Sequence, residues 1–457
     1  MKKLLSFILV LTTLTVVAQT YSIEGTVKNL PKNTAVELKM IFAGDFITID
    51  TAYANAIGEF LFLVDTAIAP NGLYEVHCGK NASLGKYRFI FDNENVTFNA
   101  GSMHPESIVF SNSPQNENYY YYLKQFDLFK KKQEILMGLM MQYPTDNKEF
   151  IAALQKEYLA VATEFEIVEN LYLQDTTNYL SVIISANRRN HGTEFTDFEN
   201  YTEYLQQHFF DKTNLTNPRA LYSDVYQYLF MDYLLIYFRS QTTDLEKQKQ
   251  KLKEAVDNLL KQTQNNNEIY EYAISFLIKN FEQFGLSELT EYVALQSNIS
   301  ASCTNQIKDD VLQRKINSIR RTAIGQTAPD ISAPNVENVT VKLSDIKADY
   351  KLVVFWASWC PHCKTLLPQL EQAYKDYNRR GLEIITLSLD TEPQAWQAEL
   401  KGDRQKWTNL CEQKGWDSQA AQQYGIYATP TMFLLNAQNQ IIAKPNTTQD
   451  LSKYLTK

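Results

Sequence analysis

Apolar and polar side chains alternate along residues 19 to about 110 of the chain. This alternation is typical of strands, because successive side chains of a strand point to opposite faces of a sheet. The alternating segments are residues 21–27, 35–40, 47–52, 58–63, 74–77, 87–91 and 96–98. Turn-forming residues such as Pro31 and Asn33 separate neighbouring segments. The short spacing predicts a small β-sandwich over residues 19–113.

From about residue 114 the apolar residues recur every three or four positions, the spacing of one helix face. The segments with this spacing are residues 116–141, 146–173, 221–238, 244–260, 268–284 and 288–296. They contain almost no glycine, and they share no fixed repeat length that would indicate a solenoid. The pattern therefore predicts an all-helical region over residues 114–322.

A turn-rich stretch, residues 325–330, ends the helical pattern and begins a third region. The strand-like segments beyond it are residues 339–343, 350–356, 382–389, 431–435 and 440–443, and the helical ones are 361–378, 392–401 and 449–454. This alternation predicts a mixed α/β domain with a parallel central pair of strands over residues 323–457. The fold class expected for the whole chain is multidomain α+β.

The chain begins with the layout of a secretory signal peptide. Lys2 and Lys3 supply a short positive region, residues 4–17 are uncharged and mostly apolar, and small residues end at Ala18. An uncleaved anchor helix is the alternative, but the apolar run is shorter than the roughly 20 residues that a bilayer span needs. We therefore predict that residues 1–18 are removed and that the protein is exported to the periplasm as a soluble protein.

Composition and charge narrow the possible functions. With 44% hydrophobic and 12% aromatic residues, the chain can bury cores and is not a disordered polypeptide. Its formal net charge of −8 gives no electrostatic reason to expect nucleic acid or an anionic membrane as a partner. No phosphate-binding loop is present, and no cofactor is predicted.

Cysteine usage points to one pair. The chain has five cysteines, an odd number, and Cys78, Cys303 and Cys411 lie far apart in sequence. For these three we favour small buried apolar residues over disulfide partners. Cys360 and Cys363 differ, because only two residues separate them and they fall where a predicted strand meets the next helix.

Two cysteines at this spacing on a helix start lie one turn apart and can close a disulfide. Cys360 falls at the N-terminal end, where unsatisfied backbone N–H groups and the helix dipole favour a thiolate. We therefore predict that Cys360 is the nucleophile and that Cys363, one turn further in, is the resolving thiol. Pro361 suits the first helical position, and His362 adds a donor that favours the thiolate.

Residues 355–364 resemble the active-site segment of thioredoxin-like proteins, and more narrowly that of the exported TlpA/ResA-type thiol–disulfide oxidoreductases. Trp359 before the first cysteine, Pro368 in the following helix and the pair Thr429-Pro430 match that family's motifs in order. The resemblance covers the predicted α/β domain. The β-rich segment ahead of it also resembles an uncharacterised module found before such domains in exported bacterial proteins.

The resemblance implies roles for individual residues. Pro430 is expected to face the dithiol from a cis-proline loop, and the backbone of Thr429 to pair with a bound substrate chain. Trp359, Pro361 and His362 are expected to modulate the reactivity of the dithiol. The implied partners are proteins that carry disulfides or dithiols, together with an unidentified redox partner; a homo-oligomer is also compatible with the sequence.

The sequence departs from the family pattern near the dithiol. Val354 stands where many thioredoxins have an acidic residue that shuttles a proton to the buried thiol, and Leu366 stands where many TlpA/ResA relatives have Glu. These departures put fast proton transfer from Cys363 in doubt. The Pro361-His362 pair resembles that of strongly oxidising periplasmic proteins. The direction of electron flow therefore stays open, with reduction favoured over oxidation or isomerisation.

Four alternatives compete with this interpretation. A zinc site would need four ligands, and no second ligand pair accompanies Cys360, His362 and Cys363. A peroxide-reducing enzyme would place a single cysteine in a different motif. A permanent disulfide is disfavoured because an exposed helix start suits exchange. Finally, the long region before the α/β domain could make the protein an envelope binding or scaffold protein in which the dithiol is secondary.

Overall fold

The computed structural model describes residues 19–101, 108–144, 146–191, 198–238, 244–298 and 306–455. The predicted signal peptide and Cys303 lie outside these residues. The chain divides into two compact units, Met1–Phe276 and Leu277–Lys457. Among the residues described, no helix is both long enough and apolar enough to cross a membrane.

The first unit begins with a β-sandwich. Its strands are β1 (Thr20–Val27), β2 (Ala35–Phe42), β3 (Asp45–Tyr53), β4 (Glu59–Asp65), β5 (Gly72–Cys78), β6 (Lys86–Phe91), β7 (Val96–Ala100) and β8 (Ile108–Ser111). In the described residues they form two four-stranded sheets with the orders β4-β1-β7-β8 and β3-β2-β5-β6. The predicted strand-rich N-terminal region is confirmed, although the short strand β8 was not predicted.

Alternating burial holds the two sheets together. In β4, Phe60 and Phe62 are buried, whereas Leu61 and Leu63 between them are exposed. The inward side chains of both sheets form one continuous apolar cluster. Because the side-chain period of a strand is two, a shift of β4 by one residue would exchange these faces. Burial of Phe60 and Phe62 therefore fixes the register.

Helices make up the rest of the first unit. They are α1 (Pro114–Gln142), α2 (Lys148–Tyr172), α3 (Tyr179–Asn187), α4 (Phe198–His208), α5 (Val225–Phe238), α6 (Leu245–Thr263) and α7 (Asn267–Gln283), whose last turns belong to the second unit. The side chain of Asn116 in α1 accepts from the Ile90 backbone N–H at 2.7 Å and donates to the Ile90 carbonyl at 2.9 Å. This pair of bonds attaches the helical region to β6.

The second unit carries two further helices ahead of an α/β domain, α8 (Ser287–Gln296) and α9 (Gln306–Arg321). The strands of the domain are β9 (Ser332–Pro334), β10 (Thr340–Lys342), β11 (Tyr350–Trp356), β12 (Leu382–Ser388), β13 (Thr408–Cys411), β14 (Thr431–Asn436) and β15 (Ile441–Ala443). Its helices are α10 (Pro361–Tyr377), α11 (Pro393–Ala398), α12 (Gln419–Tyr424) and α13 (Thr448–Leu455). The helical middle and the C-terminal α/β domain are confirmed. The domain boundaries at residues 113 and 322 stay predictions, since the two compact units divide inside α7.

Strand β11 lies at the centre of the main sheet, whose order is β13-β12-β11-β14-β15. It pairs in parallel with β12 and antiparallel with β14. Leu352 and Val354 belong to the core on one face of the sheet, while Val353 and Phe355 belong to the core on the other. Burial on both faces explains why β11 is a continuous apolar run. Helix α10 follows almost at once, so the dithiol lies at the C-terminal edge of the sheet.

Candidate active site

Cys360 is the N-cap residue of α10. Its backbone is extended, with φ −86° and ψ 115°, and its sulfur accepts a hydrogen bond from the backbone N–H of Cys363 at 3.4 Å. Pro361 occupies the first turn, where its missing N–H costs nothing. The free N–H groups of the first helical turn therefore point at the Cys360 sulfur, as anion-binding helix starts do.

The loop before β14 lies against the same sulfur. The Cys360 Sγ is 3.2 Å from the carbonyl oxygen of Thr429, and the peptide bond between Thr429 and Pro430 is cis. The fold therefore brings together four residues that the sequence predicted for one site: Cys360, Cys363, Thr429 and Pro430.

The two thiols differ in acidity. Burial alone would raise the pKa of Cys360, but hydrogen bonds from the side chains of Cys363 and Thr429 and from the backbone amides of Cys363 and His362 outweigh it, and the net pKa is lowered. Burial is the largest cause that raises the pKa of Cys363, to about 12. At neutral pH Cys360 is therefore ionised to the thiolate far more often than Cys363.

The dithiol is less open to solvent than its position in the sequence suggested. We expected an exposed helix start, but Cys360 is only 4% exposed and Cys363 1%. The Trp359 side chain, by contrast, is 55% exposed, and its ring centroid lies 6.1 Å from that of Trp416. His362 is also exposed. Trp359 and His362 therefore lie at the surface, with the sulfur of Cys360 just beneath.

Sequence reasoning missed Asp390, a buried carboxylate behind the dithiol loop. Its oxygens accept from the Ser358 backbone N–H at 2.9 Å, from the Ser358 hydroxyl at 2.6 Å and from the Ser388 hydroxyl at 2.5 Å. Ser358 lies two residues before Cys360, so Asp390 fixes the loop that carries the nucleophile. The signal that could have revealed it is an acidic residue two positions after the apolar strand β12, which ends at Ser388.

The two positions that depart from the family pattern, 354 and 366, lie in an apolar core. Val354 is fully buried and Leu366 is 8% exposed, and both belong to the same core cluster as Cys363. Neither position offers a carboxylate to accept a proton from Cys363.

The remaining described cysteines lie in apolar surroundings. Cys78 and Cys411 are free thiols with 0% and 1% exposure, as we expected of small buried residues. Burial raises the pKa of Cys78 to about 12 and also raises that of Cys411. Both are therefore poor nucleophiles. In the described ranges, no group of three or more His, Cys, Asp or Glu side chains is arranged to hold a metal ion.

Comparison with known proteins finds similar sequences for the part of the chain that contains this site. Residues 324–444 match the AhpC/TSA family. The thiol–disulfide oxidoreductase ResA of Bacillus thuringiensis is 28% identical over 137 residues, which are 29% of this chain and 78% of that protein. ResA of Oceanobacillus iheyensis is 36% identical over 90 residues, covering 19% of this chain and 43% of that protein.

Two solved structures are also similar. A thiol–disulfide oxidoreductase from Bacteroides fragilis has 31% identity and a TM-score of 0.26, covering 29% of this chain and 98% of that one. A thioredoxin-like protein from Bacteroides caccae has 20% identity and a TM-score of 0.43, covering 56% of this chain and 93% of that one.

The fold of the second unit and the family match together define a protein of the thioredoxin superfamily. Within that superfamily the ResA matches make the chain TlpA/ResA-like in its second unit. It is a thiol–disulfide oxidoreductase, an enzyme class whose substrates in general are protein thiols. The family match itself does not extend to the first unit.

Proposed function

We propose that Cys360 and Cys363 form the redox-active dithiol of this oxidoreductase and exchange disulfides with exported proteins. The observation that carries the proposal is the unequal acidity of the two thiols. A lowered pKa favours Cys360 both as nucleophile and as leaving group, while the pKa of about 12 keeps Cys363 protonated at neutral pH. The contact of Cys360 with Thr429, beside cis-Pro430, supports a substrate chain bound across that loop.

The exchange proceeds in two steps. The Cys360 thiolate attacks one sulfur of the substrate disulfide, forms a mixed disulfide, and releases the other substrate sulfur as a thiolate that takes a proton. Cys363 then attacks the Cys360 sulfur, which closes the enzyme disulfide and releases the second substrate sulfur. Two electrons pass to the substrate. A dithiol partner protein then supplies two more to the enzyme disulfide and is itself oxidised to a disulfide.

The second step has no carboxylate to assist it at the two family positions. With valine at 354 and leucine at 366, the proton of Cys363 passes most directly to the departing substrate thiolate. This transfer conserves charge at the site, but it couples release of the substrate to deprotonation of a thiol with a high pKa. We therefore expect resolution of the mixed disulfide, rather than its formation, to limit turnover.

Activity assays with matched cysteine variants test the proposal. Mature protein should reduce insulin in the presence of a dithiol donor or oxidise a reduced substrate protein, and the active assay gives the direction of electron flow. Cys360→Ser should abolish the activity. Cys78→Ala, which removes an equally buried thiol away from the dithiol, should keep it. An inactive wild-type protein in both assays, or a fully active Cys360→Ser variant, would contradict the proposal.

Export is part of the proposal, and it rests on the N-terminal pattern of Lys2, Lys3 and the apolar run that follows. Expression of the full chain in a bacterial host should yield mature protein in the periplasmic fraction, with an N-terminus near Gln19. Full-length protein retained in the cytoplasm would show that this pattern is not a signal peptide.

A further inference from the structure

A cleft of about 750 Å³ lies in the second unit beside the cis-proline loop. One wall comes from the end of α7, from α8 and from α9, and the other from residues 422–433. Ala428 and Pro430 both line it, and they flank Thr429, whose carbonyl oxygen is 3.2 Å from the Cys360 sulfur. The cleft therefore opens within one residue of the position where a substrate cysteine would react.

The helical wall is firmly attached to the α/β domain. The Arg320 side chain of α9 donates to the Ala294 carbonyl of α8 at 2.7 Å and also bonds Ser297. On the other side α9 packs against Gly425, where an added Cβ would lie 2.4 Å from the Ser318 hydroxyl oxygen. Gly425 also has φ +65°, a conformation that favours glycine. The ion pair between Glu291 of the helical wall and Lys444 at 2.5 Å and the close packing at Gly425 therefore connect the two walls.

The lining combines exposed apolar side chains with paired charges. Tyr427 is 68% exposed and Val311 is 56% exposed, so both present apolar surface at the cleft. The two carboxylates of the cleft, Glu282 and Glu291, are each bonded to a lysine, at 2.6 Å and 2.5 Å. Each of these carboxylates is thus compensated by its own lysine.

These features define the chemistry of an occupant. An extended polypeptide whose cysteine lies at Cys360 must pass over Thr429 and Pro430 and can continue into the cleft. The volume lies within the range of roughly 300–1,000 Å³ that is typical of ligand pockets. The Tyr427 ring and Val311 offer apolar contact to a large side chain, and burying a lysine or arginine against them would cost the desolvation of its charge.

We infer that this cleft binds the substrate segment next to the reactive cysteine, and that it prefers a bulky apolar side chain over a charged one. The inference rests on the proposed dithiol exchange at Cys360. It assigns a role in substrate selection to α9, a helix that precedes the α/β domain and lies outside the residues matched to the AhpC/TSA family.

Peptide disulfides test this selection. The full mature chain is assayed with disulfide peptides that carry Phe two residues before or two residues after the cysteine, with counterparts that carry Lys, and with a small aromatic disulfide that has no peptide. We expect at least one Phe peptide to exceed its Lys counterpart in kcat/KM by about tenfold, the scale of one well-filled apolar pocket. Equal values for each Phe and Lys pair would overturn the inference.

Variants of the cleft test whether the preference for the Phe peptide arises there. Val311→Glu and Tyr427→Ala should each lower the ratio of kcat/KM for the preferred Phe peptide to that for the small disulfide. Val339→Glu is the matched control, because Val339 is also 56% exposed but does not line the cleft; it should leave the ratio unchanged. A ratio that survives both cleft variants would overturn the inference, whereas a wild-type protein inactive on every disulfide would overturn the proposed function instead.

Discussion

The unequal thiol pair makes a quantitative prediction about alkylation of the reduced protein. With a pKa of about 12, Cys363 is thiolate in about one molecule in 100,000 at pH 7. The pKa of Cys360 is lowered, so its thiolate fraction exceeds the roughly 1% that a thiol at the unshifted value of 9.0 would have. The ratio of thiolate fractions is therefore about 1,000 or more in favour of Cys360.

Intrinsic reactivity reduces this ratio without reversing it. Thiolate nucleophilicity rises with pKa with a Brønsted slope of about 0.4–0.5, which over the interval from 9.0 to about 12 favours Cys363 by roughly 20-fold. The net prediction is that iodoacetamide modifies Cys360 roughly 50 times faster than Cys363 at pH 7. The rate at Cys360 should also level off at a lower pH than for an unperturbed thiol.

Mass spectrometry of quenched samples measures both rates. Both cysteines fall in one tryptic peptide, residues 352–364, so fragmentation of that peptide assigns each modification. Cys78 and Cys411 serve as internal controls, because burial should keep them unmodified until the protein is denatured. Comparable rates at Cys360 and Cys363, or faster modification of Cys363, would refute the assignment of nucleophile and resolving thiol.

Three further predictions address the surroundings of the site and the first unit. Thr429→Val removes a hydrogen bond that lowers the pKa of Cys360, so the pH of half-maximal alkylation at Cys360 should rise; an unchanged pH profile would contradict this role. Asp390→Asn weakens the charged hydrogen bonds to Ser358 and should lower the free energy of unfolding by about 2 kcal/mol in urea titrations, whereas no loss would show that Asp390 does not hold the loop. Burial lowers the pKa of His191 to about 3, so the unfolded chain binds a proton at this residue more readily than the folded protein does. The free energy of unfolding should therefore fall as the pH drops below about 6.5, by about 2 kcal/mol at pH 5. His191→Phe should flatten that acid dependence, and an unchanged slope would contradict it.

The sequence predicted best where burial follows a simple period. The alternation of β4 and the apolar run of β11 both correspond to faces that are buried in the structure. Prediction failed where an element is buried on every face. In α3, Leu180 to Ile184 are all buried, so the sequence shows no alternation between a buried and an exposed helix face. Residues between 402 and 430 contain β13 and α12, which are too short for a pattern to stand out among polar residues.

The candidate site shows the same division. The dithiol and the Thr429-Pro430 pair could be found because their residue types are unusual and their order matches a family. The buried carboxylate of Asp390 could not be assigned, because its partner Ser358 becomes a neighbour only when β11 and β12 pair. The cleft beside Pro430 likewise depends on where α9 packs, which no local pattern reports.

Trapping of the mixed disulfide tests the central claim most directly. A Cys363→Ala variant incubated with insulin lacks the resolving thiol, so a covalent adduct between Cys360 and an insulin chain should accumulate and should disappear on reduction. The same incubation with Cys360→Ser should give no adduct at Cys363. Mass spectrometry under non-reducing conditions identifies the linked cysteines. An adduct at Cys363, or none with either variant, would contradict the dithiol mechanism proposed for this protein.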